Sequence, residues 1–277
     1  MPAEVLEITR VGGVIGAEIH GVDLARDLPD RVVAAIRRAL LDHLAVFFRD
    51  QNLTPAQYRA FAARIGTPIE YPFVPGIEGF PEITPVLKRP DQTINFGGVW
   101  HSDTTYLPEP PMATLLLARE LPRVGGDTEF ANQYLAYETL SDGMKSLLAG
   151  LRGVARSDKA EASRTREDRD KKPGSGGEVL TAEHPVIRTH PETGRKVLFV
   201  NIAHTARFSG MTEEESLPLL RFLWKHQTRP ELTCRFSWSP GALAVWDNRC
   251  AQHQAINDYQ GQKRLMHRIT LAGDMPR

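Results

Sequence analysis

The chain has 277 residues, and its 34 basic and 34 acidic side chains give a formal net charge of zero. That balance excludes a protein built on an electrostatic grip of nucleic acid or of an anionic membrane, and two cysteines, Cys234 and Cys250, are too few for a disulfide framework. The start "MPAEVLEITR" lacks a secretion-signal pattern and no apolar run reaches the roughly 18 residues of a span, so a cytoplasmic chain forming one domain over 1–277 is expected.

In chain order, "DRVVAAIRRALLDHL" spaces Val33, Ile36, Leu40 and Leu44 as one face of an amphipathic helix. "TPAQYRAFAARIG" predicts a second helix, with Thr54 as N-cap, Pro55 at the first helical position and Gly66 past the end. "VWHSDTTY" sets His101 two residues before Asp103. In an extended stretch both side chains share a face, where they form either a metal-gripping pair or a surface His and Asp. "ATLLLARE" reads as a strand. "RVGGDTEF" reads as a tight turn at Gly125 and Gly126 leading into a strand that carries Thr128.

From Ser157 to Gly177 the sequence is dense in charge and has no aromatic, Leu, Ile or Val, which predicts a mobile surface segment, either a lid or an insertion. "PVIRTH" and "KVLFVN" read as strands joined by a hairpin turn in which Gly194 takes positive φ. "TEEESLPLLRFLWKHQ" opens on a capping-box spacing, Thr212 and Glu215, and Pro218 inside it predicts a later start or a bend. "LTCRFSW", "ALAVWD" and "RLMHRITLA" complete the strands. Among nine histidines, His184, His190 and His226 read as solvated or capping residues, and His253 in "WDNRCAQHQAINDY" is the candidate second imidazole for a two-His, one-carboxylate metal set. In the last strand, period two puts Arg264 and Arg268 on one face, which is either wet or turned towards a bound anion. Many short strands with helices mostly in the first half predict a mostly β fold with flanking helices (α+β), a sandwich or barrel.

Together "WHSDTTYLPEPP", "ELPRVGGDTEF", "HPVIRTHPETGRKVLF", "WSPGALAVWDNRCAQHQAINDY" and "RLMHRITLAGDMP" resemble the TauD/TfdA (taurine dioxygenase-like) family of iron(II)/2-oxoglutarate-dependent dioxygenases over almost the whole chain. The resemblance implies a double-stranded β-helix (jelly roll), usually in a dimer or higher oligomer. It implies Fe(II), 2-oxoglutarate and O2 as cofactor and cosubstrates, with His101, Asp103 and His253 as metal ligands. It matches Thr128 and Arg264 to the far carboxylate of 2-oxoglutarate, Arg268 to the cosubstrate's metal-binding end and the substrate, and Trp238 to the cosubstrate pocket. It implies a small anionic substrate, first a sulfonate or alkyl sulfate ester and alternatively an aryloxyalkanoate or other small carboxylate. A catalytically silent jelly-roll binding protein is the alternative of another class. On the substrate side the match thins: Gly97 is the nearest counterpart of the family's Asn, and Tyr71 and Val74 stand where taurine-cleaving members carry a His and a Tyr. Tyr71, Val74, Asn95 and Thr104 are the candidate substrate residues beside Arg268.

Overall fold

Local chemistry starts the helix after Thr54 where the sequence predicts. In the computed structural model, which describes residues 6–163 and 179–277, the chain first forms β1 (Glu7–Arg10), β2 (Ala17–His20), α1 (Asp30–His43), β3 (Ala45–Phe48) and α2 (Pro55–Ile65). Thr54 and Gln57 close a capping box on α2, and Pro55 costs nothing at a position whose N–H has no helical partner. Next come β4 (Pro68–Ile69), β5 (Thr84–Lys88), β6 (Ala113–Glu120), β7 (Thr128–Asn132), α3 (Gln133–Glu138), α4 (Asp142–Leu148), β8 (Arg152–Arg156) and α5 (Ala160–Ser163). The last part holds β9 (Thr181–Pro185), β10 (Ile187–Thr189), β11 (Lys196–Leu198), β12 (Thr205–Phe208), α6 (Glu213–Gln227), β13 (Thr233–Phe236), β14 (Leu243–Asp247), β15 (Ala251–Ala255) and β16 (Arg264–Leu271).

The Thr212–Glu215 capping box starts α6 at Glu213, so the helix begins before Pro218 and carries it inside, against the expected later start. Proline there leaves the carbonyl of Glu214 without its helical donor, and Glu214 is exposed, where water can serve instead. Gly194 takes φ 70° in the antiparallel β10–β11 hairpin, as predicted. Of the segment expected to be mobile, 157–177, residues 164–177 lie outside the described residues. Its first residue, Ser157, is buried and paired through its backbone and hydroxyl with Leu180.

An eight-stranded sheet runs β1-β2-β3-β14-β6-β16-β4, with β5 also paired to β16, and a three-stranded sheet runs β13-β7-β15. Period-two alternation divides the large sheet's side chains between two cores. Val46, Phe48, Leu115, Leu117, Val245 and Ile269 face α1 and α2, where they meet Ile36, Leu40 and Phe61. Phe47, Leu116, Trp246 and Met266 face the small sheet, where they meet Phe130 and Phe236. Because both faces are covered, β3 and β14 are buried at every position, and each large side chain withdrawn from water contributes roughly 1.5–3 kcal/mol. Two sheets closed on a shared interior, with helices outside, make the jelly roll that was expected. Among the described residues no helix is long and apolar enough to cross a membrane.

Candidate active site

The interior between the two sheets is apolar at one end and charged at the other. At the charged end an isolated bridge joins His101 to His253, with His101 N donating to His253 O (3.0 Å) and His253 N to His101 O (2.8 Å). His253 is held in β15, opposite Phe130 of β7, and its ring lies against Trp246. Asp103 follows His101 in a turn rather than in a strand, so strand alternation is not what brings the pair together. The turn does so, with Thr104 at φ 42°. One ligand atom from each of His101, Asp103 and His253 lies within 4.8 Å of the others, and all three residues are buried.

The tautomer of His101 is fixed by its neighbour. Nδ1 sits 2.7 Å from the Val99 carbonyl, which only accepts, so Nδ1 carries the hydrogen and Nε2 presents its lone pair, 3.7 Å from Asp103 Oδ1. Burial pushes both imidazoles down, His253 well below its ordinary range. Burial alone would raise the Asp103 carboxyl; beside neutral imidazoles, the Arg268 guanidinium and the Thr114 hydroxyl are the groups that hold it below the usual carboxylate range. The result is two neutral imidazoles and one carboxylate, the donor set of non-haem iron(II) centres that keep positions open.

The face of β16 that the spacing left undecided is dry: Arg264 and Arg268 are 4% and 5% exposed. Nε and Nη2 of both have no hydrogen-bond partner among the described residues. The Arg268 guanidinium carbon lies 4.2 Å from the Tyr71 ring and 5.2 Å from the Phe96 ring, in the corner where those two rings meet edge-to-face, with Nη1 3.5 Å from Asp103 Oδ1. Two buried guanidiniums with open donors are costly unless an anion meets them. Gly125 and Gly126 both take positive φ, and a Cβ on Gly126 would stand 3.2 Å from Arg264 Cδ, so the glycine turn leaves room for that side chain.

Two cavities meet at this point. One spans about 390 Å³, open solvent at its mouth included, and is lined by Thr128, Arg264, Arg268, His101 and His253 among others. The other encloses about 430 Å³, partly open to solvent, and is lined by Tyr71, Thr104, Tyr106, His204 and Arg268 among others. Phe96, Gly97, His101 and Arg268 belong to both. Trp238 stands behind the first cavity: its Nε1 donates to Thr128 Oγ1 (3.0 Å), and its ring lies 5.7 Å from the Arg264 guanidinium carbon. Asn95 and Val74 line neither cavity. Asn95 turns its amide to the Ala255 carbonyl (3.1 Å), and Val74 packs against the cluster of Tyr71, Phe73 and Tyr106.

Sequence reasoning missed Phe96, Tyr106 and His204 as cavity walls. His204 is brought in by a hydrogen bond with Thr105 (3.1 Å), a contact between segments 99 residues apart that no local pattern announces. His184 and His190 are buried, not solvated. His184 Nε2 ties down the turn after Asp103 through the carbonyls of Thr105 and Leu107. His190 sits with Asp247 and Cys250 in a second cluster of ligand-type groups. There the Asp247 oxygens are already taken by Arg249 and His190, and burial pushes the Cys250 thiol well up, so this cluster is an ion network.

Comparison with known proteins agrees with this geometry. The family model described as "Taurine catabolism dioxygenase TauD, TfdA family" matches residues 7–270. An alkylsulfatase of Acinetobacter baylyi is 35% identical over 99% of this chain and 87% of its own length. An alpha-ketoglutarate-dependent sulfate ester dioxygenase of Pseudomonas putida is 36% identical over 98% of this chain and 91% of its own. The crystal structure of a taurine dioxygenase from Burkholderia xenovorans superposes with a TM-score of 0.83 at 39% identity, covering 98% of this chain and 91% of that one. A family match across nearly the whole length, relatives above 30% identity and a shared fold leave one conclusion: the chain belongs to the TauD/TfdA family of iron(II)/2-oxoglutarate-dependent dioxygenases.

Proposed function

We propose that the chain hydroxylates a small alkyl sulfate ester at the carbon bearing the ester oxygen, with a sulfonate as the neighbouring substrate class. Loss of sulfate from the hydroxylated carbon then leaves an aldehyde, while 2-oxoglutarate and O2 become succinate and CO2. His101, Asp103 and His253 hold the Fe(II), which with 2-oxoglutarate and O2 supplies the oxidising power when bound. Thr128 and Arg264 receive the far carboxylate of 2-oxoglutarate, and Trp238 steadies both. Arg268, held against the rings of Tyr71 and Phe96, offers its open nitrogens where the two cavities meet, to the near end of 2-oxoglutarate on one side and the sulfate on the other. The aromatic walls exclude water around these charges, which strengthens each interaction.

The observation that carries this reading is the pair of buried guanidiniums beside the His–Asp–His cluster. The lining of the second cavity supports the choice of an alkyl sulfate. Its walls include Tyr71, Phe96, Val99, Tyr106 and Ala203, and among the described residues the only carboxylate lining it is Asp103. An anionic head with an apolar tail suits these walls, and among the described residues the ammonium group of taurine has no counter-charge there beyond a proposed metal ligand. The test is a panel of small alkyl sulfates, taurine and an aryloxyacetate, scored for succinate and for sulfate or sulfite. Sulfate released one-to-one with succinate from an alkyl sulfate is the expected result. Sulfite from taurine, with no sulfate from any ester, would overturn the choice of substrate.

A further inference from the structure

We infer that Thr114 and Asn248 are positioning residues that decide which oxygen of Asp103 faces the metal; the inference rests on the metal reading above. Trp246 Nε1 can only donate, and it lies 2.9 Å from the side-chain amide of Asn248, so the atom facing it is the oxygen, Oδ1. The backbone N–H of Asp103 points at the same oxygen (3.4 Å). That leaves Nδ2, a pure donor, facing Thr114 Oγ1 at 2.8 Å. Having accepted there, the Thr114 hydroxyl directs its single hydrogen to Asp103 Oδ2, 2.6 Å away.

The direction of every hydrogen in the relay is therefore fixed by one indole. Oδ2 is occupied, and Oδ1 is the atom left towards His101 Nε2 (3.7 Å) and Arg268 Nη1 (3.5 Å). Bulk water does not reach the relay, because Thr114, Trp246, Asn248 and Asp103 are 0–3% exposed. Rigid elements hold it: Thr114 on β6 pairs directly with Trp246 on β14, and Asn248 N donates to the Met112 carbonyl just before β6. A carboxylate free to turn can bind a metal through both oxygens and take a position that the cosubstrates need. The relay holds Asp103 to one.

The test measures Mn(II) affinity by calorimetry, without cosubstrate, alongside thermal melts of each apo protein. Thr114→Val keeps the shape and removes the donor, and about a 10- to 100-fold loss of affinity is expected. Thr114→Ser keeps the hydroxyl and should stay within about threefold of the unmodified chain. Asn248→Ala should lower affinity when Thr114 is present and cost clearly less when combined with Thr114→Val, since its shorter contact acts through the hydroxyl and only the long one from the Asp103 backbone N–H remains. Should Thr114→Val fail to fold, Thr114→Cys, a much weaker donor, reads the same quantity. Unchanged affinity in Thr114→Val, or additive losses in the double variant, would overturn the relay while His101→Ala still abolishes binding. Full Mn(II) affinity in His101→Ala would instead overturn the metal reading itself.

Discussion

At Gly97 the backbone takes φ 74°, and a Cβ built there would lie 3.1 Å from Cε1 of His101. The left-handed backbone costs a residue with a side chain about 1 kcal/mol, and the contact presses on an imidazole whose other side is tied to the Val99 carbonyl. Gly97 also lines both cavities, so an added methyl narrows the passage between them. Gly97→Ala is expected to lower kcat/KM by about tenfold or more, equivalent to about 1.4 kcal/mol of barrier, with a much smaller change in melting temperature. Steady-state succinate formation and a thermal melt check this together, and unchanged turnover would show that the imidazole yields without consequence. Thr104 is the residue-scale counterpart. A β-branched residue at φ 42° with a buried hydroxyl lacking a partner among the described residues is held in an unfavourable state by the turn that delivers Asp103.

Among the elements, β16 ties fold and site together most directly. Ile269 and Leu271 pack into the core beneath α1 and α2, while Arg264, Met266 and Arg268 face the interior between the sheets. A buried cation with open donors lowers stability until its anion binds, and replacing such a charge by an apolar group is often neutral or stabilising by about 1–4 kcal/mol. Arg264→Met is therefore expected to melt no lower than the unmodified chain in the absence of 2-oxoglutarate. It should also lose most of the upward shift that 2-oxoglutarate gives in the presence of Mn(II) and raise the KM for 2-oxoglutarate. A variant that melts lower without the cosubstrate would mean that Arg264 is structural.

The same strand shows how far the sequence could be read. Its span, its alternation and the shared face of its arginines follow from period two, yet whether that face is wet depends on sheets formed by residues over a hundred positions away. The N-cap at Thr54 and the capping box at Thr212 were legible because their partners lie three residues on. The pairing of β6 with both β14 and β16 was not, and neither was the arrival of His204 at the cavity. Asn95 misled because residue type shows what a side chain can bind, not that a neighbouring carbonyl has already bound it.

Over the whole molecule, buried charge sets a pH dependence with two windows. Burial holds His184, His226 and His267 below the ordinary imidazole range, His267 at about 4 with Arg119 adding to the effect. In the unfolded chain these groups take up protons near pH 6.5, so between about 6.5 and 4 the unfolded state binds more protons and stability falls as pH falls. The carboxyl of Asp247 lies in the lower window. Burial would raise it, but Arg249 and His190 hold it well below the usual range, so its contribution is complete above about pH 3.9 and is lost only in stronger acid. Much of the molecule depends on that carboxylate. Arg249 reaches from it to Glu192 (2.7 Å) in the β10–β11 turn, and Glu192 to Arg37 on α1 (3.0 Å), which also donates to the Ile65 carbonyl at the end of α2 (2.7 Å). Melting temperature should be level above about pH 7, decline between about 6.5 and 4, and fall more steeply below that as the Asp247 network is protonated. His267→Gln should flatten the middle of that curve and leave the acid limb unchanged, because the limb belongs to carboxylates. Calorimetric melts at half-unit pH steps measure both, and a melting temperature that rises on going from pH 7 to 5 would contradict the assignment of neutral, buried imidazoles.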